Sequence, residues 1–573
     1  MTDIAELIVG ALAEHGVEQV WGVVGDALNP VTDAIRRNDG VEWIGVRHEE
    51  VAAFAAGAQA QLTGRIGVCM GTVGPGSIHL LNGLYDAKKS HAPVLALCGQ
   101  VPSPELGSDF FQEVDNDVLF ADVAVFNETV TSPAQLPGLL EQAVNTAYAE
   151  QGVAVLTLPG DLGSQEVGKD TTAPRFAPRA EQAAAPEAQL DAAATALNDA
   201  GKVTLLVGCG ARADRDAVLE LAEVLQAPMV LTLKGKEGLE AENPYQIGQS
   251  GLIGNPATKE AFDDCDTLFL LGTDFPYRDW LPSDKTVIQL DQRAGHIGRR
   301  TAVTHALVGH VGPTVRALLP RLRAGKKGKH LQKAASAYRE WREEQAKLAD
   351  PGHDRTLLGR LRGKADNPDH RIRPEAVAAA LNRHAADDAI FTSDTGMATV
   401  WLSRFIELRG TRRLLGSYNL GSMANAMPQA LGAQALDRSR QVIANCGDGG
   451  LTMLLGDLRT AVTHRLPVTF VVYDNGRLGM VKLEQEQGGL PEFGTELDNP
   501  DLAAVAEAMG VPARRVTGAA DVDDAVRTAL ATDGPYLLDM VTNPDEIALP
   551  PKATPGQAWG FAIAKSKEFL QSR

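Results

Sequence analysis

Cysteine, aromatic residues and positive charge are all scarce in this 573-residue chain, and no long apolar run occurs. The five cysteines (Cys69, Cys98, Cys209, Cys265, Cys446) are scattered, with no C-x-x-C pair. Four of them sit in apolar, strand-like surroundings, which favours buried free thiols over disulfides or a zinc site. No segment approaches the roughly 20 apolar residues of a membrane-spanning helix. The 54 Lys and Arg against 73 Asp and Glu give a net charge of −19. That balance excludes the basic footprint of non-specific nucleic-acid binding. It leaves an internal phosphate site open, because a metal ion and backbone amides can hold an anion inside an acidic protein. The acidic start, Met1 to Glu6, lacks a basic leader and cleavage site, so a cytoplasmic location is expected.

What the chain does have is ordinary globular composition, with 44% hydrophobic and 22% charged residues. Its length suggests about three domains. Short apolar strands alternate with amphipathic helices in three blocks, which predicts an α/β protein of three doubly wound parallel-sheet domains. The expected boundaries are 1–172, 186–324 and 368–548, with a short tail at 549–573. Strands are expected at 66–70, 94–97 and 153–158 in the first block. The middle block has them at 203–207, 229–231, 267–271 and 287–290. In the third, 389–392, 440–446 and 468–473 read as strands, and Leu451 to Thr463 as one helix.

The most specific motif is Gly447-Asp448-Gly449-Gly450 followed at a distance by Asn475. Strand, turn, helix and strand in succession place both loops at the carboxyl edge of one parallel sheet. Asp448 and Asn475 then converge, and their oxygens, with a backbone carbonyl, suit Mg²⁺. Gly447, Gly449 and Gly450 let a diphosphate approach the main chain at a helix N-terminus. Either polar residue alone would read as a helix cap or an Asx turn.

This pattern, together with Trp21 to Asp26, Arg47 to Ala58 and Gly421 to Gln434, resembles the thiamine-diphosphate enzymes. The resemblance is closest to the pyruvate:quinone oxidoreductase (pyruvate oxidase) branch, and it runs to about Phe561. It implies pyrimidine-binding, FAD-binding middle and diphosphate-binding domains, with thiamine diphosphate, Mg²⁺ and FAD as cofactors. The cofactor would lie between the first domain of one subunit and the third of another, hence a homodimer or homotetramer. By the same resemblance Glu49, directly after Arg47-His48, activates the cofactor; without it, Glu49 and Glu50 are about even. Met423 would shape the cofactor, with Gly421 and Ser422 contacting its pyrimidine. Asp394 and Gly396 would contact the diphosphate, and the Arg477 carbonyl would be the third metal ligand. Phe111 and Met480 would wall the reacting carbon, while Gln112 and Glu484 handle protons or substrate carboxylate. The chain departs from the branch at Val114-Asp115-Asn116, Leu420 and His310.

In the middle block, Gly208-Cys209-Gly210 mimics a dinucleotide fingerprint, yet the strand at 229–231 has no acidic residue at its end. Gly251, Leu252, Ile253 and Gly254 resemble a flavin-contacting segment of pyruvate oxidases. So do Thr273, Asp274, Phe275, Pro276 and Tyr277, while Asp291, ending an apolar strand, is placed to accept from ribose hydroxyls. The tail carries Trp559, Ile563, Phe569 and Leu570, enough for at most weak peripheral contact with a membrane face. These features together predict oxidative decarboxylation of pyruvate to acetate, with electrons passing through FAD to a quinone or other acceptor. An acetolactate-synthase-like carboligase, a phosphate-dependent oxidase and a non-catalytic homologue are the alternatives.

Overall fold

The computed structural model describes residues 3–168, 172–177, 182–325, 327–350 and 371–546. The tail at 549–573 lies outside them. Three parallel six-stranded sheets, each with helices interleaved between its strands, make the expected α/β architecture. The first sheet runs Glu42–Gly45, Gln19–Gly22, Gly67–Gly71, Val94–Gln100, Val153–Pro159, Ala124–Thr129. The middle sheet runs His305–Val308, Thr286–Asp291, Thr267–Leu271, Val203–Val207, Met229–Leu231, Gln246–Gln249. The third runs Arg413–Gly416, Ile390–Ser393, Val442–Gly447, Val468–Asp474, Tyr536–Val541, Ala513–Val516. Central strands such as Val468–Asp474 are buried throughout, because helices cover both faces of a parallel sheet. All five thiols are free; four are buried and Cys209 is exposed. Among the described residues, no helix is long and apolar enough to cross a membrane.

One apolar core spans the first and third domains. At its centre the alanine-rich helix Glu49–Thr63 lies against helix Ala426–Leu436. Small side chains let the two backbones come close: a Cβ added at Gly432 would sit 2.4 Å from the Ala55 carbonyl oxygen. Gln59 Nε2 donates to the Gly432 carbonyl across the same contact at 3.1 Å. Helix propensity alone would favour Gly432→Ala by about 1 kcal/mol. The clash is with main chain that cannot rotate away, and overpacking costs about 1–3 kcal/mol. Gly432→Ala is therefore expected to lower the thermal midpoint, and a midpoint that holds or rises would show that the helices can part.

The middle domain is sewn to the third by two buried carboxylates. Glu237 accepts from the Leu414 amide at 2.9 Å and from Arg212 at 2.6 Å. Glu240 accepts from the Leu408 amide at 2.9 Å and pairs with the buried Lys236 at 2.6 Å. Each carboxylate has its partners, as burial of charge requires.

Candidate active site

Strand Val442–Gly447 delivers the chain into a helix that begins at Asp448. The single helix expected over 451–463 is broken: Asp448–Met453 is followed by a tight turn at Leu455–Asp457 and then Leu458–Thr463. The Asp457 carboxylate sits at the break. Its Oδ1 accepts from Thr460 Oγ1 at 2.7 Å and from the Arg47 amide of the first domain at 2.8 Å.

Asp448, Asn475 and Arg477 line one cleft of about 260 Å³. Asp448 Oδ1 accepts from the Gly449 amide at 2.9 Å, and Oδ2 from the Gly476 amide and Asn499 Nδ2, both at 2.8 Å. Asn475 Oδ1 accepts from the Arg477 amide at 3.0 Å, an Asx turn that still leaves one lone pair free. At both residues these bonds leave an acceptor lone pair unused. Burial, with the Asp474 carboxylate nearby, pushes the Asp448 carboxyl up to about 6.

The glycines around these oxygens border open space. A Cβ added at Gly396, Gly421 or Gly447 would meet no protein atom within 4 Å. Gly396 and Gly421 have positive φ, but Gly447 has φ −76°, so only the room beside it calls for glycine there. Gly450 differs: its Cβ would fall 2.3 Å from Asp394 Oδ2. That carboxylate accepts from the Ala426 amide at 2.9 Å and the Gly447 amide at 3.0 Å. Asp394 therefore braces the glycine turn from behind, and burial pushes its carboxyl up to about 7. A Cβ on Gly449 would come 3.2 Å from the Met423 Cε, which puts the Met423 methyl over the turn. Its neighbour Ala424 is held at φ +62°, a strained conformation for a non-glycine residue. Ser422 Oγ donates to the Met423 carbonyl and accepts from Asn82 Nδ2, at 2.8 and 2.9 Å. Met480 and Glu484 also line the cleft, Glu484 as an exposed side chain on its rim.

Glu49, Phe111 and Gln112 do not line this cleft in their own chain. Glu49 is buried at the start of its helix, with Oε2 2.9 Å from His79 Nδ1. His48 caps that helix and stacks on His79, ring centroids 4.5 Å apart. Glu50 instead accepts from Asn82 at 2.7 Å, so the two adjacent carboxylates have separate partners. His79 escaped the sequence reading; its only signal is the short Gly74-Pro75-Gly76 approach that turns it back towards Glu49. Gln112 has φ +67° and its carbonyl lies 2.8 Å from a Cβ built on Gly74, which places the Phe111-Gln112 loop on the Glu49 side. Phe111 is 79% exposed, and on the third domain Phe493 is 85% exposed. The departures at 115 and 116 are structural: Asp115 caps helix Asn116–Leu119, and buried Asn116 donates to the Gly99 carbonyl at 3.3 Å.

Comparison with known proteins bears on this arrangement. Residues 2–119, 190–318 and 394–540 match the N-terminal TPP binding, central and C-terminal TPP binding domains of thiamine pyrophosphate enzymes. The chain belongs to the thiamine pyrophosphate enzyme family. It is 39% identical to the protein YdaP of Bacillus subtilis, over 98% of this chain and 95% of that one. It is 31% identical to the pyruvate oxidase of Lactiplantibacillus plantarum, over 94% and 88%. It is 32% identical to the acetolactate synthase isozyme 2 large subunit of Escherichia coli, over 93% and 94%.

In this thiamine pyrophosphate enzyme the cleft continues into the middle domain. A cavity of about 190 Å³ shares Gly396, Gly421 and Met480 with the cleft and is lined by Leu252, Ile253 and Thr273 to Tyr277. A second, of about 330 Å³, extends it to Asp291 and His310; His91, Cys209, Lys234 and Asp274 line both. Gly251, at φ +91°, accepts from the Gly254 amide in a tight turn, and its Cβ would sit 3.1 Å from the Tyr277 ring. Asp291 Oδ1 accepts from the Arg293 amide at 2.8 Å and retains acceptor capacity towards the groove. His310 Nδ1 accepts from the Ala183 amide at 3.1 Å, so this departure ties down the incoming linker. Lys234 donates to Ser90 Oγ at 3.0 Å.

Proposed function

We propose that this chain is a pyruvate-decarboxylating oxidoreductase that uses thiamine diphosphate, Mg²⁺ and FAD, with a quinone or other acceptor as electron sink. The observation that carries the reading is continuity: open space beside Gly447, Asp448 and Asn475 runs past Gly396, Gly421 and Met480 into the middle-domain groove ending at Asp291. Thiamine diphosphate supplies a nucleophilic carbon for a 2-oxo acid, and FAD a two-electron acceptor, when bound.

The residues present fit these groups. Asp448, Asn475 and the Arg477 carbonyl would hold Mg²⁺, which takes oxygen ligands and shares phosphate. Gly447, Gly449 and Gly396 would admit the diphosphate, and Met423 with Gly421 and Ser422 would set its orientation. Glu49, buried beside His79, would hold the proton that activates the cofactor's pyrimidine. Phe111 and Met480 would exclude water, with Gln112 and Glu484 positioned for substrate carboxylate or proton. Leu252, Ile253, the Thr273 to Tyr277 loop and Asp291 would hold FAD. Since Glu49 and Phe111 stand outside their own chain's cleft, the complete site needs a second copy, in a homodimer or homotetramer. The large exposed side chains Phe111 and Phe493 suit such an interface.

Anaerobic addition of pyruvate to the flavin-loaded enzyme tests the reading. Bleaching of the flavin with release of acetate is expected. Acetolactate with the flavin still oxidised would replace this reading by a carboligase, and acetyl phosphate formed only with phosphate present by a phosphate-dependent oxidase. Absence of any turnover would leave a non-catalytic homologue.

A further inference from the structure

We propose that Asn499 confines Asp448 to a single coordinating oxygen and thereby selects Mg²⁺ over Ca²⁺. The inference rests on the metal reading of Asp448 and Asn475 given above, and it adds a specificity-determining residue to that site.

Asn499 Nδ2 lies 2.8 Å from Asp448 Oδ2 and 2.8 Å from Asp474 Oδ1. A side-chain amide nitrogen carries two hydrogens, so both are used, one on each carboxylate. Two acceptors on one side also fix the amide orientation, since the opposite flip would set its oxygen against both carboxylates. Asp448 Oδ2 accepts a second bond from the Gly476 amide at 2.8 Å. Both of its lone pairs are then occupied. Oδ1 accepts only from the Gly449 amide at 2.9 Å, which leaves one lone pair for a cation. Asp448 can coordinate through Oδ1 alone.

That restriction matters for the choice of ion. Mg²⁺ demands a near-ideal octahedron of single oxygen contacts, whereas Ca²⁺ takes six to eight ligands and readily accepts both oxygens of one carboxylate. Locking Oδ2 away removes the contact that would favour the larger ion. Asn499 is also held in register with the ligand loop. Leu497 donates to the Gly476 carbonyl and Leu478 to the Thr495 carbonyl, each at 2.8 Å, and Arg477 forms a bridge with Glu496. Beyond Asn499, Asp501 caps helix Leu502–Ala508 and anchors the far side. Asn499 does not touch the ion in this scheme; it is a positioning residue that acts through Asp448.

The test measures Mg²⁺ and Ca²⁺ affinities by displacement of Mn²⁺, followed by electron paramagnetic resonance, with thiamine diphosphate present. Asn499→Ala removes both donors; Asn499→Leu removes them while keeping the volume, which guards against a packing defect. In both variants the preference for Mg²⁺ over Ca²⁺ is expected to fall by about tenfold or more, in line with what outer-sphere partners contribute to a metal site. If both ions weaken equally, or neither changes, Asn499 has only a structural role and the proposal is wrong. A wild-type protein that binds no divalent cation even with thiamine diphosphate overturns the metal reading itself, and this inference with it.

Discussion

Glu49→Gln is expected to lower turnover of pyruvate by about 10²–10⁴-fold, the range for loss of a positioned acid–base group. The substitution keeps shape and hydrogen-bonding capacity but removes the ability to gain and lose a proton. Glu49 is buried with His79 as its neighbour at 2.9 Å. Affinity for thiamine diphosphate should change little, because glutamine still bonds to a ring nitrogen. Hydrogen–deuterium exchange at the cofactor's reactive carbon, followed by NMR, separates the two effects: exchange should slow in step with turnover. A Glu49→Gln enzyme that exchanges and turns over as fast as the native one would move the proton-handling role elsewhere.

Asp448→Ala should weaken cation-dependent retention of thiamine diphosphate by more than about 100-fold, the upper end of what outer-sphere partners alone contribute. Equilibrium dialysis with and without Mg²⁺ reads this directly. In the cation-free protein the substitution should cost the fold less at pH 8 than at pH 5. Burial pushes the Asp448 carboxyl up from 3.8 to about 6. Such a group binds its proton more readily folded than unfolded, so it favours the fold at low pH and disfavours it as pH rises through 6. Above that value the native protein bears a buried charge that alanine lacks, held by three hydrogen bonds that alanine also loses. Unchanged cofactor retention by the variant would remove Asp448 from the metal site.

Most central strands of the three sheets were legible in the sequence because they are buried on both faces and read as unbroken apolar runs. All six edge strands were not, among them Glu42–Gly45, His305–Val308 and Arg413–Gly416. An edge strand has one neighbour and a partly wetted face, so its residues need not be apolar. Tyr536–Val541 was hidden for another reason: Asp539, fully buried in its middle, interrupts the pattern and is answered by Arg515 at 3.0 Å. Motif residues contiguous in sequence were found for the same reason that turns are, since spacing alone brings them together. His79 and Asn499 act across 30 and 51 residues of chain, and neither is announced by its local neighbours. The split helix after Asp448 was equally invisible, and the Asp457 carboxylate at the split bonds the Arg47 amide of another domain.

The interlocked pair formed by helices Glu49–Thr63 and Ala426–Leu436 has one more consequence. Glu49 heads one helix and the Met423 loop leads into the other, while their shared seam at Ala55 and Gly432 has no slack. In an assembly whose cofactors each bridge two copies, these two ends would serve different reaction centres. A seam without slack would then carry a displacement at one centre to the other.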